Sequence, residues 1–140
     1  MLNRVVRDES GFTLVELLVV MLVIGILAAI AVASFLTQRD KARDADAKVV
    51  ARAASQAIEV YATEEDGDYD GATPAALTAL EPTLSGRPVT VLFAAGRAYQ
   101  VAVASATGND FMVERRPDGE MRLECTPAAR AGCPAGGRWG

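Results

Sequence analysis

The sequence predicts an α+β fold. One long N-terminal α-helix has a hydrophobic half that spans a membrane and an amphipathic half packed on a four-stranded antiparallel β-sheet. Three observations predict it. From Leu17 through Leu36 no residue is charged, and only Gly25 and Ser34 interrupt the apolar run. From Thr37 to Glu64 there is neither proline nor glycine, while Ala, Arg, Lys, Gln and Glu, all good helix formers, abound. From Pro88 onward, apolar and polar residues alternate in short runs set apart by Gly, Pro, Asn and Asp.

The elements follow in order. Residues Met1 to Ser10 are polar, with Arg4 and Arg7 beside Asp8 and Glu9. Basic residues hold a segment on the cytoplasmic side, although Arg39, Lys41 and Arg43 crowd the far end of the apolar run. That run is about 20 residues, or roughly 30 Å as a helix, which matches a bilayer's hydrocarbon core. Glu16 sits one turn inside it, where an ionisable side chain is costly unless it finds a partner. One helix from Phe12 to about Glu64 would be roughly 80 Å long. In its second half Ala42, Ala45, Val49, Ala53, Ala57 and Tyr61 recur at steps of three and four, and Val50, Ala54 and Ile58 widen that stripe. Arg39, Asp40, Arg43, Asp44, Lys48 and Arg52 fall mostly off it.

Glu65-Asp66-Gly67 ends the helix, with the glycine free to take a left-handed cap. Thr73 before Pro74 reads as an N-cap with proline at the first helical position. The short helix it opens runs to Leu80 and is stopped by Pro82. Four strands follow, at 88–93, 99–105, 111–115 and 120–124. Their turns lie at Ala95-Gly96-Arg97, Thr107-Gly-Asn-Asp110 and Pro117-Asp118-Gly119. The tail from Thr126 to Gly140 is rich in Gly, Pro and Ala, and Trp139 is its one large apolar anchor for docking on the sheet.

Composition excludes several functions. The chain has 140 residues and, once the leader and apolar helix are set aside, about 100 for one small domain. With 14 basic and 18 acidic residues and no basic run, specific duplex binding by a basic face is not expected. Arg87, Arg97, Arg115, Arg116 and Arg122 read as a solvated sheet edge or face rather than a line of DNA contacts. Histidine is absent, so there is no Ser-His or Cys-His pair and no ordinary zinc site. No residue set points to catalysis, and neither an enzyme nor a cofactor is expected. The two cysteines, Cys125 and Cys133, read as one disulfide in an exported protein and as two free thiols in an intracellular one.

Asp66-Gly-Asp68-Tyr-Asp70-Gly71 has the opening spacing of a calcium loop. The position that should carry a bidentate glutamate is Leu77, and Pro74 falls inside the loop, so a helix-ending turn is the better reading of Asp66, Asp68 and Asp70. The rival to a spanning helix is an ordinary signal peptide cut after Ala33, which would release a soluble secreted binding domain. Against it, Glu16 abuts the apolar run, and the helical pattern passes straight through that cut.

Gly11-Phe12-Thr-Leu-Val-Glu16, the apolar span, the amphipathic helix and the small antiparallel sheet together resemble a type IV pilin. The resemblance is carried by Phe12-Thr-Leu-Val-Glu-Leu-Leu-Val-Val20 and Ile24-Gly-Ile-Leu-Ala-Ala-Ile-Ala31. It implies that residues 1–11 are a cytoplasmic leader, cut off after Gly11 by a prepilin peptidase that then methylates Phe12. It implies a transmembrane and assembly helix at 12–36, an amphipathic helix of the head at 37–65 and a β head at 66–140. It makes Glu16 the carboxylate that directs assembly, and the Cys125…Cys133 pair resembles the family's C-terminal disulfide loop. The partners implied are other copies of the chain in a filament of parallel helices, the peptidase, the inner-membrane assembly machinery and, before assembly, membrane lipid. The implied location is a single-pass membrane precursor, N-terminus cytoplasmic, and then an extracellular or periplasmic filament. A major pilin, a minor pilin and a pseudopilin of a type II secretion or DNA-uptake machine share this helix. Many pilins have a proline where this chain has Ala33, so a more continuous helix is expected here.

Overall fold

The computed structural model describes residues 11–140. Of the leader read from the sequence at residues 1–11, residues 1–10 lie outside the described residues. The chain divides into two compact units, Met1–Leu36 and Thr37–Gly140. The long helix α1, Leu14–Glu64, contributes to both.

In the first unit, the helix begins where Thr13 can cap it. The Thr13 hydroxyl accepts from the Glu16 N–H at 3.2 Å, and the Thr13 carbonyl accepts from the Leu17 N–H at 3.3 Å. Two donors that a helix start leaves orphaned are thereby satisfied. Helical geometry therefore begins two residues after Phe12, because Thr13 is needed outside the first turn. Every residue from Gly11 to Leu36 is exposed. The helix is long and apolar enough to cross a membrane.

The second unit holds the core. The rest of α1 buries Ala47, Val50, Ala51, Ala54, Ala57, Ile58 and Ala62. This corrects the stripe read from the sequence: Val49 is 66% exposed, and Ala42 and Ala45 are exposed as well. The buried face is rotated toward the residues taken as its margin. An alanine-rich helix offers an apolar line on more than one side, and the sheet selects the one that carries Ile58.

The helix ends as a left-handed turn, but Asp66 enters it first. Asp66 has φ 56° and Gly67 φ 88°, and the Gly67 N–H reaches back to the Ala62 carbonyl at 2.7 Å. This is the six-to-one bond of a Schellman end, and aspartate tolerates the left-handed position before the glycine. The short helix α2, Pro74–Leu80, has Thr73 as its N-cap, accepting from the Ala76 N–H, and Pro74 at its start. A single 3-10 turn at Pro82–Leu84 follows.

The four strands are β1 (Val89–Ala95), β2 (Ala98–Ala104), β3 (Asp110–Arg115) and β4 (Met121–Thr126), joined as an antiparallel meander in the order β1-β2-β3-β4. One inward row is Val89, Val103, Phe111 and Cys125, and the next is Val91, Val101, Val113 and Leu123. A bulge between Val91 and Phe93 turns both Leu92 and Phe93 outward and brings Ala94 back inward. Strict period two fails there because the bulge adds one residue on one side of the ladder. Tyr99, Phe111 and Leu77 are fully buried and fill the space left by the short alanines of α1.

Candidate functional site

The first candidate site is the start of α1. Gly11 has open space around its Cα, Phe12 is 80% exposed, and Glu16 is the acid in the first helical turn. A carboxylate there lies at the positive end of the helix dipole. Between Gly11 and Gln38 it is the one charged residue in the sequence. The cap at Thr13 was not singled out from the sequence, although Thr13-Leu-Val-Glu16 carries the Thr-x-x-Glu spacing that signals a helix start.

A second cluster was missed altogether. Asp44, read as lying off the apolar face, is fully buried. Its Oδ1 accepts from Ser105 Oγ at 2.6 Å and from Thr107 Oγ1; its Oδ2 accepts from Asn109 Nδ2 and the Gly132 N–H, both at 2.7 Å. Burial pushes this carboxyl up, and the donors from Ser105, Thr107, Gly132 and Asn109 outweigh it and hold its pKa below the ordinary aspartate value. Lys48 does not pair with the acids beside it on the helix: its Nζ donates to the Gly132 carbonyl at 2.7 Å and sits 5.3 Å from the centre of the Phe111 ring. Asn109 Nδ2 also donates to the Arg130 carbonyl, and Asn109 Oδ1 is left without a partner among the described residues.

Two signals would have found this cluster. Asp44 continues the true buried line through Ala47, Ala51, Ala54 and Ile58, and Ser105, Thr107 and Asn109 place three polar side chains at alternate positions of one turn.

A third group lies where α1 ends beside the β1–β2 and β3–β4 turns. Glu59 accepts from Tyr69 Oη at 2.7 Å, from Tyr99 Oη at 3.1 Å and from Arg115 at 3.1 Å. Burial, reinforced by the Glu59 carboxylate, pushes the Tyr69 hydroxyl up to about 12 and raises that of Tyr99 as well. Glu59, Tyr69, Arg97, Arg115 and Asp118 line an open cleft of about 430 Å³ here.

The other residues singled out from the sequence fall as follows. Asp66, Asp68 and Asp70 do not converge: Asp68 Oδ1 accepts from the Asp70 N–H, and Asp70 Oδ1 accepts from the Gly96 N–H, which ties the loop to the β1–β2 turn. Among the described residues, no group of three or more His, Cys, Asp or Glu side chains stands ready to hold a metal. Arg87 pairs with Asp46, Arg115 with Glu59, and Arg116 and Arg122 both pair with Glu120. Cys125 and Cys133 are joined in a disulfide. Trp139 docks beside Phe111, ring centres 5.9 Å apart, and its Nε1 donates to the Glu124 carbonyl at 2.7 Å.

With this geometry in place, three comparisons bear on identity. Residues 6–32 match the family model described as the prokaryotic N-terminal methylation motif. Over 122 residues, 86% of this chain and 84% of the relative, the sequence is 30% identical to the type IV wide pilus major component PilA4 of Thermus thermophilus. Over 55 residues it is 40% identical to the type II secretion system core protein G of Pseudomonas aeruginosa, a match that spans 39% of each chain. No solved structure is significantly similar. The chain belongs to the type IV pilin and pseudopilin family.

Proposed function

We propose that this chain is the structural subunit of a type IV pilus-like filament. It is made as a membrane-inserted precursor with its N-terminus in the cytoplasm. A prepilin peptidase cuts after Gly11 and methylates Phe12, and the subunit then polymerises through residues 12–36. The observation that carries the reading is that the whole apolar helix start is exposed, with Glu16 its one charge. A surface of this kind must be covered by lipid or by other copies.

Cleavage gives Phe12 a cationic amine. Within one subunit that amine and Glu16 are one turn apart, roughly 6 Å along the helix. Among parallel helices, a neighbour's amine reaches Glu16 instead. A correctly placed subunit then pairs the carboxylate, whereas a misplaced one leaves a buried charge alone, which is strongly unfavourable. The apolar surfaces drive association and the pair sets register. Mono-methylation keeps the charge and sheds some hydration.

The test has two parts. Sequencing the mature N-terminus separates methylated Phe12 from the Ser34 that a signal peptidase would leave. Glu16→Ala is expected to insert normally in membranes and to give at least tenfold fewer filaments by electron microscopy. Filaments at wild-type yield would overturn the register argument.

The pseudopilin of a type II secretion machine is the second reading, favoured by the higher identity, over 55 residues, to core protein G. The pilus reading ranks first because the match to PilA4 takes in the head as well. Identifying the main component of shed filaments decides between them.

A further inference from the structure

The tail beyond β4 has little apolar surface of its own, so whatever fastens it decides whether the head is complete. Beyond the Trp139 contact, two fastenings lie next to each other in sequence. Cys133 is buried and bonded to Cys125 of β4. Its neighbour Gly132 gives its N–H to Asp44 Oδ2 and its carbonyl to Lys48 Nζ, each at 2.7 Å. A Cβ on Gly132 would stand 2.6 Å from the Asp44 Cβ and 3.1 Å from its Oδ2, so the backbone lies directly against the buried carboxylate. The same loop holds Ala129 at φ 60° and Ala131 at φ 49°, a left-handed conformation that alanine rarely adopts unless the surroundings impose it. The Asp44 side of the contact is built separately: Ser105, Thr107 and Asn109 orient the carboxylate from the β2–β3 turn.

The geometry points to a redox-read latch in which closure of Cys125–Cys133 delivers Gly132 to Asp44 and Lys48 and so completes the head. With both thiols free, the loop has no ring to hold its left-handed alanines. Gly132 leaves, and Asp44 keeps only its side-chain donors. Closing the bond removes one proton and one electron from each thiol. The two electrons and two protons pass to a disulfide oxidant, such as an oxidised dithiol protein or oxidised glutathione, which departs reduced. A head still in a reducing compartment is therefore unlatched, and it locks only where such an oxidant is present. The inference concerns the head and does not depend on the filament reading.

The test uses the full chain in detergent micelles, oxidised and then reduced with dithiothreitol. Hydrogen exchange at the Gly132 amide is expected to be at least 100-fold faster after reduction, with a smaller acceleration at 105–109. An amide equally protected in both states would overturn the latch. The second measurement is the ratio of disulfide to dithiol in a glutathione buffer. Asp44→Asn and Gly132→Ala are each expected to lower it about tenfold, the scale of one charge-assisted hydrogen bond. A disulfide acting as a plain staple, independent of Asp44, would give an unchanged ratio in both variants, and that result overturns the proposal. If Asp44→Asn does not fold, the wild-type exchange comparison and Gly132→Ala decide.

Discussion

Asp44 shows how much one side chain can carry, and how easily a sequence conceals it. Its carboxylate is buried and accepts four hydrogen bonds from two separate segments, the β2–β3 turn and the tail. Asp44→Ala would strand those donors in a dry site, and a loss of about 3 kcal/mol is expected in urea unfolding of the full chain in micelles. The pH dependence follows from the direction of its shift. The folded state holds the Asp44 pKa below its ordinary value, so its contribution is complete above the unfolded carboxyl value of about 3.9 and is lost as pH falls through the lower folded value. Thermal midpoints should therefore be flat near neutrality and drop below about pH 4, and Asp44→Asn should flatten that acid limb. A limb of equal slope in the variant would assign it to other carboxylates. None of this was legible from residue type, because an aspartate among Arg, Asp and Lys on a helix reads as solvated. Its position could have revealed it, through its phase with Ile58, as could the alternating polar residues Ser105, Thr107 and Asn109. Glu16 was legible for the opposite reason: a charge in an apolar run has no bland neighbours to hide among.

Among elements, the strands and their turns were readable because local chemistry fixes them. Alternation set the four strands, Pro117-Asp118-Gly119 set the last hairpin, and Thr73-Pro74 set the start of α2. What was not readable was the outcome of competition between elements. The β1 bulge that exposes Leu92 and Phe93 depends on pairing with β2, and the buried face of α1 depends on which alanines meet Tyr99 and Phe111. The C-terminal tail belongs to the same class. It runs beside β4, with the Cys125 N–H bonded to the Gly137 carbonyl and the Trp139 N–H to the Leu123 carbonyl. That covers one edge of the sheet, and an uncovered edge is a template for pairing with another chain. Removing residues 135–140 should reopen this edge and take away the Trp139 packing as well. Faster aggregation by light scattering is expected for the truncated protein, with Cys125–Cys133 still formed. A truncated protein that stays monodisperse would show that the tail's cover is dispensable.

At the scale of the whole molecule, two environments are written into one chain. Every large apolar residue from Phe12 to Leu36 is exposed, whereas among the described residues the buried apolar core lies wholly between Ala47 and Trp139. Soluble monomers rarely tolerate a contiguous apolar surface above a few hundred Å². The first unit therefore demands lipid, detergent or further copies of itself, while the second contains what it needs to fold: the sheet, the amphipathic half of α1, the Asp44 cluster and the disulfide. A fragment of Thr37–Gly140, made under oxidising conditions, is expected to be a soluble monomer with one cooperative thermal transition. The full chain should need detergent and should stay with membranes under alkaline extraction. The fragment's helix loses its N-terminal neighbours, so fraying is expected before Asp44, where the first buried contact pins it. Hydrogen exchange would locate that boundary directly. Protection beginning at Asp44 supports a self-sufficient head, and a fragment without cooperative melting would mean that the apolar half of α1 is needed for folding as well as for assembly.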